Sequence, residues 1–139
     1  MAKKTIALSG GFDPIHVGHV RMIKDAASYG DVIVFINSDE WLERKKGYVF
    51  MPWEERAEII SAIRGVAEVV AVDDSDNTVC EALVRCKPDA FANGGDRKGG
   101  NTPEVRICIE NNIQLLWNVG GEKIQSSSEL VANAQNEGM

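Results

Sequence analysis

Five times along this chain a short apolar run gives way to a segment with helical spacing, and that alternation restricts the fold more than any other feature. Residues 5–8, 32–36, 66–72, 89–92 and 113–119 are short and rich in branched or aromatic side chains, as expected of strands buried on both faces. Between the first two, Val20, Ile23 and Ala27 recur at helical spacing, and Gly30 stands where a left-handed helix cap is common. Pro52, Trp53, Glu54 and Glu55 open a second helix with proline and acids where the helix dipole favours them, and Gly65 closes it. Residues 78–87 and 103–112 read as further helices, and a last one is expected to begin within residues 126–128. Strands alternating with helices need crossover connections. The expected class is therefore α/β: a Rossmann-like, doubly wound, five-stranded parallel sheet in an α/β/α sandwich. With 139 residues and no linker composition, residues 1–139 are expected to form one domain.

Composition removes several function classes. Hydrophobic residues at 44% and charged residues at 26% match globular usage and not a disordered chain. No apolar run approaches the roughly 18 residues that span a bilayer. The start MAKKTIALSGG lacks the pattern of a signal peptide, so the expectation is a cytoplasmic protein without membrane partners. Cys80, Cys86 and Cys108 are odd in number and form no CxxC pair, which suggests reduced, mostly buried thiols. A net charge of -6 argues against a nucleic-acid partner, because broad binding to nucleic acid needs a basic surface that releases counterions. A small anion could still be met by local positive charge, for which Arg44, Lys45 and Lys46, or Arg97 and Lys98, are candidates.

Sheets of this kind bind ligands at the carboxyl ends of their strands, where strand order reverses. The first turn, the loop after Asn37, the NGGDRKGGN loop and the GGEKIQSSS loop all follow strands and share that edge. The first turn, GGFDPIHVGH at residues 10–19, contains both histidines of the chain. Gly10 and Gly11 allow a ligand close to the backbone, and the following helix aims its first amides and positive dipole end at the same place. His16 and His19, three residues apart, share a helix face with β-carbons roughly 5–6 Å apart, and Gly18 leaves room for a phosphate. A lone histidine in such a turn would more often be a cap or a surface residue. Two ligands are too few for zinc, and the spacing is three where the common zinc helix has four with a glutamate between. A histidine pair also has no place in the G-x-G-x-x-G dinucleotide fingerprint.

GGFDPIHVGHV resembles the G-x-F-D-x-x-H-x-G-H signature of the cytidylyltransferase-like nucleotidyltransferases, the family of glycerol-3-phosphate cytidylyltransferase and of the adenylyltransferase domain that activates heptose 1-phosphate. The likeness continues through NSDE after the second strand, Lys45 and Lys46, PWEER with Arg56, EVV in the third strand, GGD after the fourth and SSS after the fifth. The resemblance implies transfer of a nucleoside monophosphate from a nucleoside triphosphate to a phosphorylated small molecule, with release of pyrophosphate and with Mg2+ as cofactor. The chemistry suits these residues. A phosphate monoester has a second pKa of about 6, so the attacking oxygen is already largely ionised and needs alignment and charge stabilisation more than a base.

Carried onto this chain, the resemblance makes His16, His19 and Lys46 catalytic. It places Gly10, Gly11, Phe12, Asp13, Gly18, Gly94, Gly95, Asp96, Ser126, Ser127 and Ser128 around the nucleotide, and Lys45, Arg56 and Lys123 on the acceptor, with no protein-held metal. Two departures stand out. The family's second lysine falls where this chain has Gly47, and its arginine upstream of the serine motif falls near Gly121, with Lys123 as a stand-in. CTP is favoured over ATP as donor, and the acceptor is a polyol phosphate, sugar phosphate or phosphonate, in a pocket formed by residues 47–51 and 97–102. Trp41, Tyr48, Phe50 and Trp53 either shape that pocket or pack in the core. A homodimer is expected from the family. The alternatives are a non-catalytic nucleotide-binding module of the same fold and a metal-dependent hydrolase.

Overall fold

A computed structural model of the protein describes residues 4–93 and 102–117. Its strands are β1 (Thr5–Gly10), β2 (Asp31–Ile36), β3 (Val66–Ala71), β4 (Ala90–Asn93) and β5 (Gln114–Trp117). The helices are α1 (Val17–Ala27), α2 (Asp39–Lys46), α3 (Trp53–Ser61), α4 (Cys80–Cys86) and α5 (Pro103–Glu110). All strand pairs are parallel and the sheet order is β3-β2-β1-β4-β5. The chain winds outward from β1 to β3, returns to the other side of β1, and winds outward again, so order reverses between β1 and β4. The β1–α1 turn leaves the sheet at that reversal, the position where a ligand finds a crevice.

Strand periodicity divides the core into two layers. Ile6 and Leu8, Val32, Val34 and Ile36, and Ala90 and Ala92 face α1 and α3, meeting Ile23, Ala26, Ala57 and Ile60. Ala7, Phe35 and Phe91, from the same three strands, face α4 and α5 and meet Ala82, Leu83 and Cys108. The central strands are thus buried on both sides, which is why they carry no polar alternation.

Three local expectations are corrected. In α1 the inward stripe is His19, Met22, Ile23 and Ala26, whereas Val20, expected inside, is 41% exposed. The rotation puts His19 at the head of the buried face. Gly30 is not a left-handed cap, since α1 ends on Ser28 in right-handed geometry. A β-carbon at Gly30 would lie 2.2 Å from the Lys4 carbonyl oxygen, so the glycine is required by close approach of the chain to β1. Residues 39–46, expected to be loop, form α2. Ser38 caps it by accepting from the Trp41 amide, acids fill its first turn, Arg44, Lys45 and Lys46 fill its last, and Gly47 at φ +86 ends it. Cys108 is buried as expected, but Cys80 and Cys86 are only half-buried. The helix expected from residues 126–128 lies outside the described residues, and no described helix is long and apolar enough to cross a membrane.

Candidate functional site

His16 occupies the N-cap of α1 in extended geometry, and its Nδ1 accepts a hydrogen bond from the Gly18 amide at 3.1 Å. His19, at the third helical position, returns the bond: its Nδ1 accepts from the His16 amide at 3.1 Å. Two imidazoles thus perform the reciprocal cap usually made by a serine or threonine and a glutamate. The rings stack with centroids 3.8 Å apart and 25° between planes, and Phe12 meets the His19 ring edge-on at 4.8 Å. Phe12 is itself buried, in left-handed backbone geometry at φ 53.

This geometry sets the electrostatics of the pair. A nitrogen that accepts an amide proton carries none, so both rings are neutral and hold their proton on Nε2. The pair offers two N–H donors rather than two positive charges. The first amides of the helix are likewise engaged: Gly18 bonds to His16, and His19 and Val20 bond to the His16 carbonyl. The amides of residues 18–20, expected to face a ligand, are therefore engaged within the turn itself.

The turn is held from below by Asp13 and Arg56. Asp13, expected near the nucleotide, is 1% exposed, and its carboxylate accepts the Phe50 amide at 2.8 Å, the Met51 amide and the Lys46 ammonium at 3.3 Å. Arg56, expected on the acceptor, is buried with a fully enclosed side chain. Its Nε donates to the Met51 carbonyl at 2.9 Å, its Nη1 to the carbonyls of Gly11 and Asn37 at 2.7 Å each, and its Nη2 to Asp39 at 2.6 Å. In this conformation it reaches no solvent-borne ligand. Its burial, though not its partners, has a signal in the sequence: Trp53, Arg56, Ala57 and Ile60 form one helical stripe, three members of which are apolar.

Asp74 is a participant the sequence reading missed. Buried after β3, it accepts from the Asn37 side-chain amide at 3.0 Å, the Ser38 amide at 2.8 Å and the Ser38 hydroxyl at 2.6 Å. It thereby fixes the start of α2, and its only signal was an acidic residue just past a strand's carboxyl end. The basic triplet of α2 is divided by these contacts. Arg44 donates to the Asp74 carbonyl and Asn77, and Lys46 donates to Asp13. Lys45 is exposed, with its ammonium 4.6 Å from the Trp41 ring centroid.

Gly10, Gly11 and Gly18 lie half-buried in the same turn. A β-carbon on Gly11 would stand 3.0 Å from the Leu42 side chain, so this glycine admits α2 to the turn as well as leaving backbone accessible. Gly94, Gly95, Asp96, Lys123, Ser126, Ser127 and Ser128 lie outside the described residues.

Comparison with known proteins agrees with this fold. A family model described as cytidylyltransferase-like matches residues 7–119. The bifunctional protein HldE of Sulfurimonas denitrificans is 40% identical over 123 residues, covering 86% of this chain and 25% of that protein. The FAD synthase of Pyrococcus abyssi is 37% identical over 94 residues, covering 66% of this chain and 63% of its own length. The chain therefore spans about a quarter of the HldE relatives and about three fifths of the FAD synthases. A solved lipopolysaccharide core biosynthesis protein from Thermoplasma volcanium shares the fold, with a TM-score of 0.68 at 21% identity over 84% of this chain and 96% of that one. With a parallel α/β sheet, a capped histidine pair at its order reversal and a family match that takes in the whole signature, the chain belongs to the cytidylyltransferase-like family.

Proposed function

We propose that this chain is a nucleotidyltransferase: it transfers a nucleoside monophosphate from a nucleoside triphosphate to a phosphorylated small molecule and releases pyrophosphate. The observation that carries the proposal is the histidine pair, stacked at 3.8 Å, with each Nδ1 tied to backbone and its proton on Nε2, at the sheet's order reversal. Two neutral donors fixed before the ligand arrives suit oxygen atoms on which charge grows during in-line displacement at phosphorus, and they cost no reorganisation at that moment. They also leave the attacking oxygen to ionise by itself, as a phosphate monoester does near neutral pH. Lys45, exposed near the same edge, supplies a cation for the acceptor phosphate.

Among the described residues no group of three or more histidine, cysteine or acidic side chains could hold a metal. Magnesium enters the proposal as an ion carried on the triphosphate, a mode that needs at most one or two protein carboxylates. When bound, it would neutralise charge on the phosphate oxygens. The signature is shared by cytidylyl- and adenylyltransferases and leaves CTP and ATP both open as donor, and similarity to HldE proteins and FAD synthases supports ATP. The same reading extends to a cytoplasmic homodimer, which sedimentation of the purified chain tests.

The deciding experiment crosses the four nucleoside triphosphates with a panel of polyol phosphates, sugar phosphates, phosphonates and flavin mononucleotide, reading pyrophosphate. One strong combination is expected and names both substrates. Tight nucleotide binding by calorimetry with no pyrophosphate in any combination would assign the chain to the non-catalytic alternative.

A further inference from the structure

We infer that Asp13, Lys46 and Arg56 form a clasp that positions the histidine turn, and that Lys46 serves the transfer through Asp13, not through a substrate phosphate. The kinetic half of this inference rests on the proposed function; the positional half does not.

The contacts close a circuit between two segments distant in sequence, residues 11–13 and residues 46–56. Lys46, at the end of α2, donates to the Asp13 carbonyl at 2.7 Å and to its carboxylate at 3.3 Å. Asp13 accepts the amides of Phe50 and Met51 in the α2–α3 connection. The Met51 carbonyl accepts from Arg56 on α3, and Arg56 returns to Gly11, two residues before Asp13. Phe12, between those two anchors, is the residue whose ring meets His19. A change at Lys46 therefore has a short mechanical path to the histidines, through Asp13 and Phe12.

Burial decides between the two roles open to Lys46. Its side chain is 12% exposed and Asp13's is 0% exposed, while the ammonium lies 5.0 Å from the Tyr48 ring centroid. Gly47, in left-handed geometry at φ 86, turns the chain so that Tyr48 comes back alongside. To reach a phosphate, Lys46 would have to leave a buried carboxylate without its cation, a costly exchange. Lys45 sits one residue earlier, exposed, with no such commitment among the contacts described above. The two adjacent lysines thus divide the work: Lys45 faces the acceptor and Lys46 holds the turn.

With two histidines in the chain, the imidazole signals in a nitrogen-resolved NMR spectrum give a direct readout that needs no turnover. Lys46→Met is expected to displace both His16 and His19 signals, and Lys45→Met to leave both in place. Lys46→Arg keeps a cation beside Asp13 and is expected to displace the same signals less; it decides the matter if the Met variant does not fold. With a working substrate pair, Lys46→Met should lower kcat about tenfold or more with acceptor KM little changed, and should add little further loss in an Asp13→Asn background. Lys45→Met should instead raise acceptor KM. Undisturbed histidine signals in folded Lys46 variants would overturn the inference, as would a rise in acceptor KM that multiplies with the Asp13→Asn loss. Displaced signals in a protein that turns over no substrate would support the clasp while contradicting the proposed activity.

Discussion

Replacing Arg56 by methionine separates a structural arginine from a substrate-binding one. The substitution keeps an unbranched chain of similar reach but removes four hydrogen bonds, to the carbonyls of Gly11, Asn37 and Met51 and to the Asp39 carboxylate. Bonds from a charged donor are worth about 1.5–3 kcal/mol each, so a simple sum gives roughly 6–12 kcal/mol. That sum is too large. The Asp39 side chain is 37% exposed and can be rehydrated, and the methionine gains some apolar burial. Breaking a buried charged pair costs about 3–5 kcal/mol in comparable settings, and we expect Arg56→Met to fall in that range. For a domain whose total stability is about 5–15 kcal/mol, the loss is roughly a fifth or more of the whole. Arg56→Lys restores the charge but not the planar fork, so it should lose about half as much. Urea titration followed by tryptophan fluorescence measures both. A loss below about 1 kcal/mol for Arg56→Met, together with a large rise in acceptor KM, would refute the structural assignment and return Arg56 to the substrate.

Other substitutions test neighbouring parts of the structure. His16→Asn keeps an oxygen able to accept from the Gly18 amide but lacks the Nε2–H, so stability should hold within about 1 kcal/mol while pyrophosphate release falls about 100-fold or more. Gly30→Ala places a β-carbon 2.2 Å from the Lys4 carbonyl, and a loss of about 2 kcal/mol or more is expected in the same urea titration. Burial pushes the Cys108 thiol up from 9.0 to about 11, which makes it inert to thiol reagents in the native protein near neutral pH. The linkage has a definite sign: below pH 9 both states keep the proton. Between about pH 9 and 11 the unfolded chain ionises first, so Cys108 makes stability fall across that window, and Cys108→Ala should remove that part of the slope.

The framework of this fold was readable because its signals are local. A strand buried on both faces must be apolar throughout, and residues 32–36 announce β2 without a partner in view; residues 66–72 announce β3 by their valines, although in this edge strand only Val70 is buried. The histidine turn was readable for the same reason, since the spacing from Gly10 to His19 lies within one loop and one helical turn. What escaped was set by contacts between segments. Helix α2 has a full set of caps but only Leu42 buried, so a search for an apolar stripe passes over it while one for Ser38 and Gly47 finds it. Arg56 and Asp13 matched positions that the resemblance assigns to ligands, yet each is enclosed by carbonyls or amides from loops far away in sequence. Nothing in sequence spacing states which loop will meet which. The charge state of the histidines was hidden too, because it depends on which nitrogen faces a backbone amide.

The most direct test follows the two imidazoles by nitrogen-resolved NMR while magnesium with ATP or CTP is added at a pH where the protein is folded. Both rings are expected to be neutral with the proton on Nε2 before and after addition, and both Nε2–H signals should move together and saturate with one nucleotide per chain. A proton on Nδ1 of either ring in the free protein, or two imidazoles that ignore a nucleotide bound elsewhere, would contradict the role given to the pair.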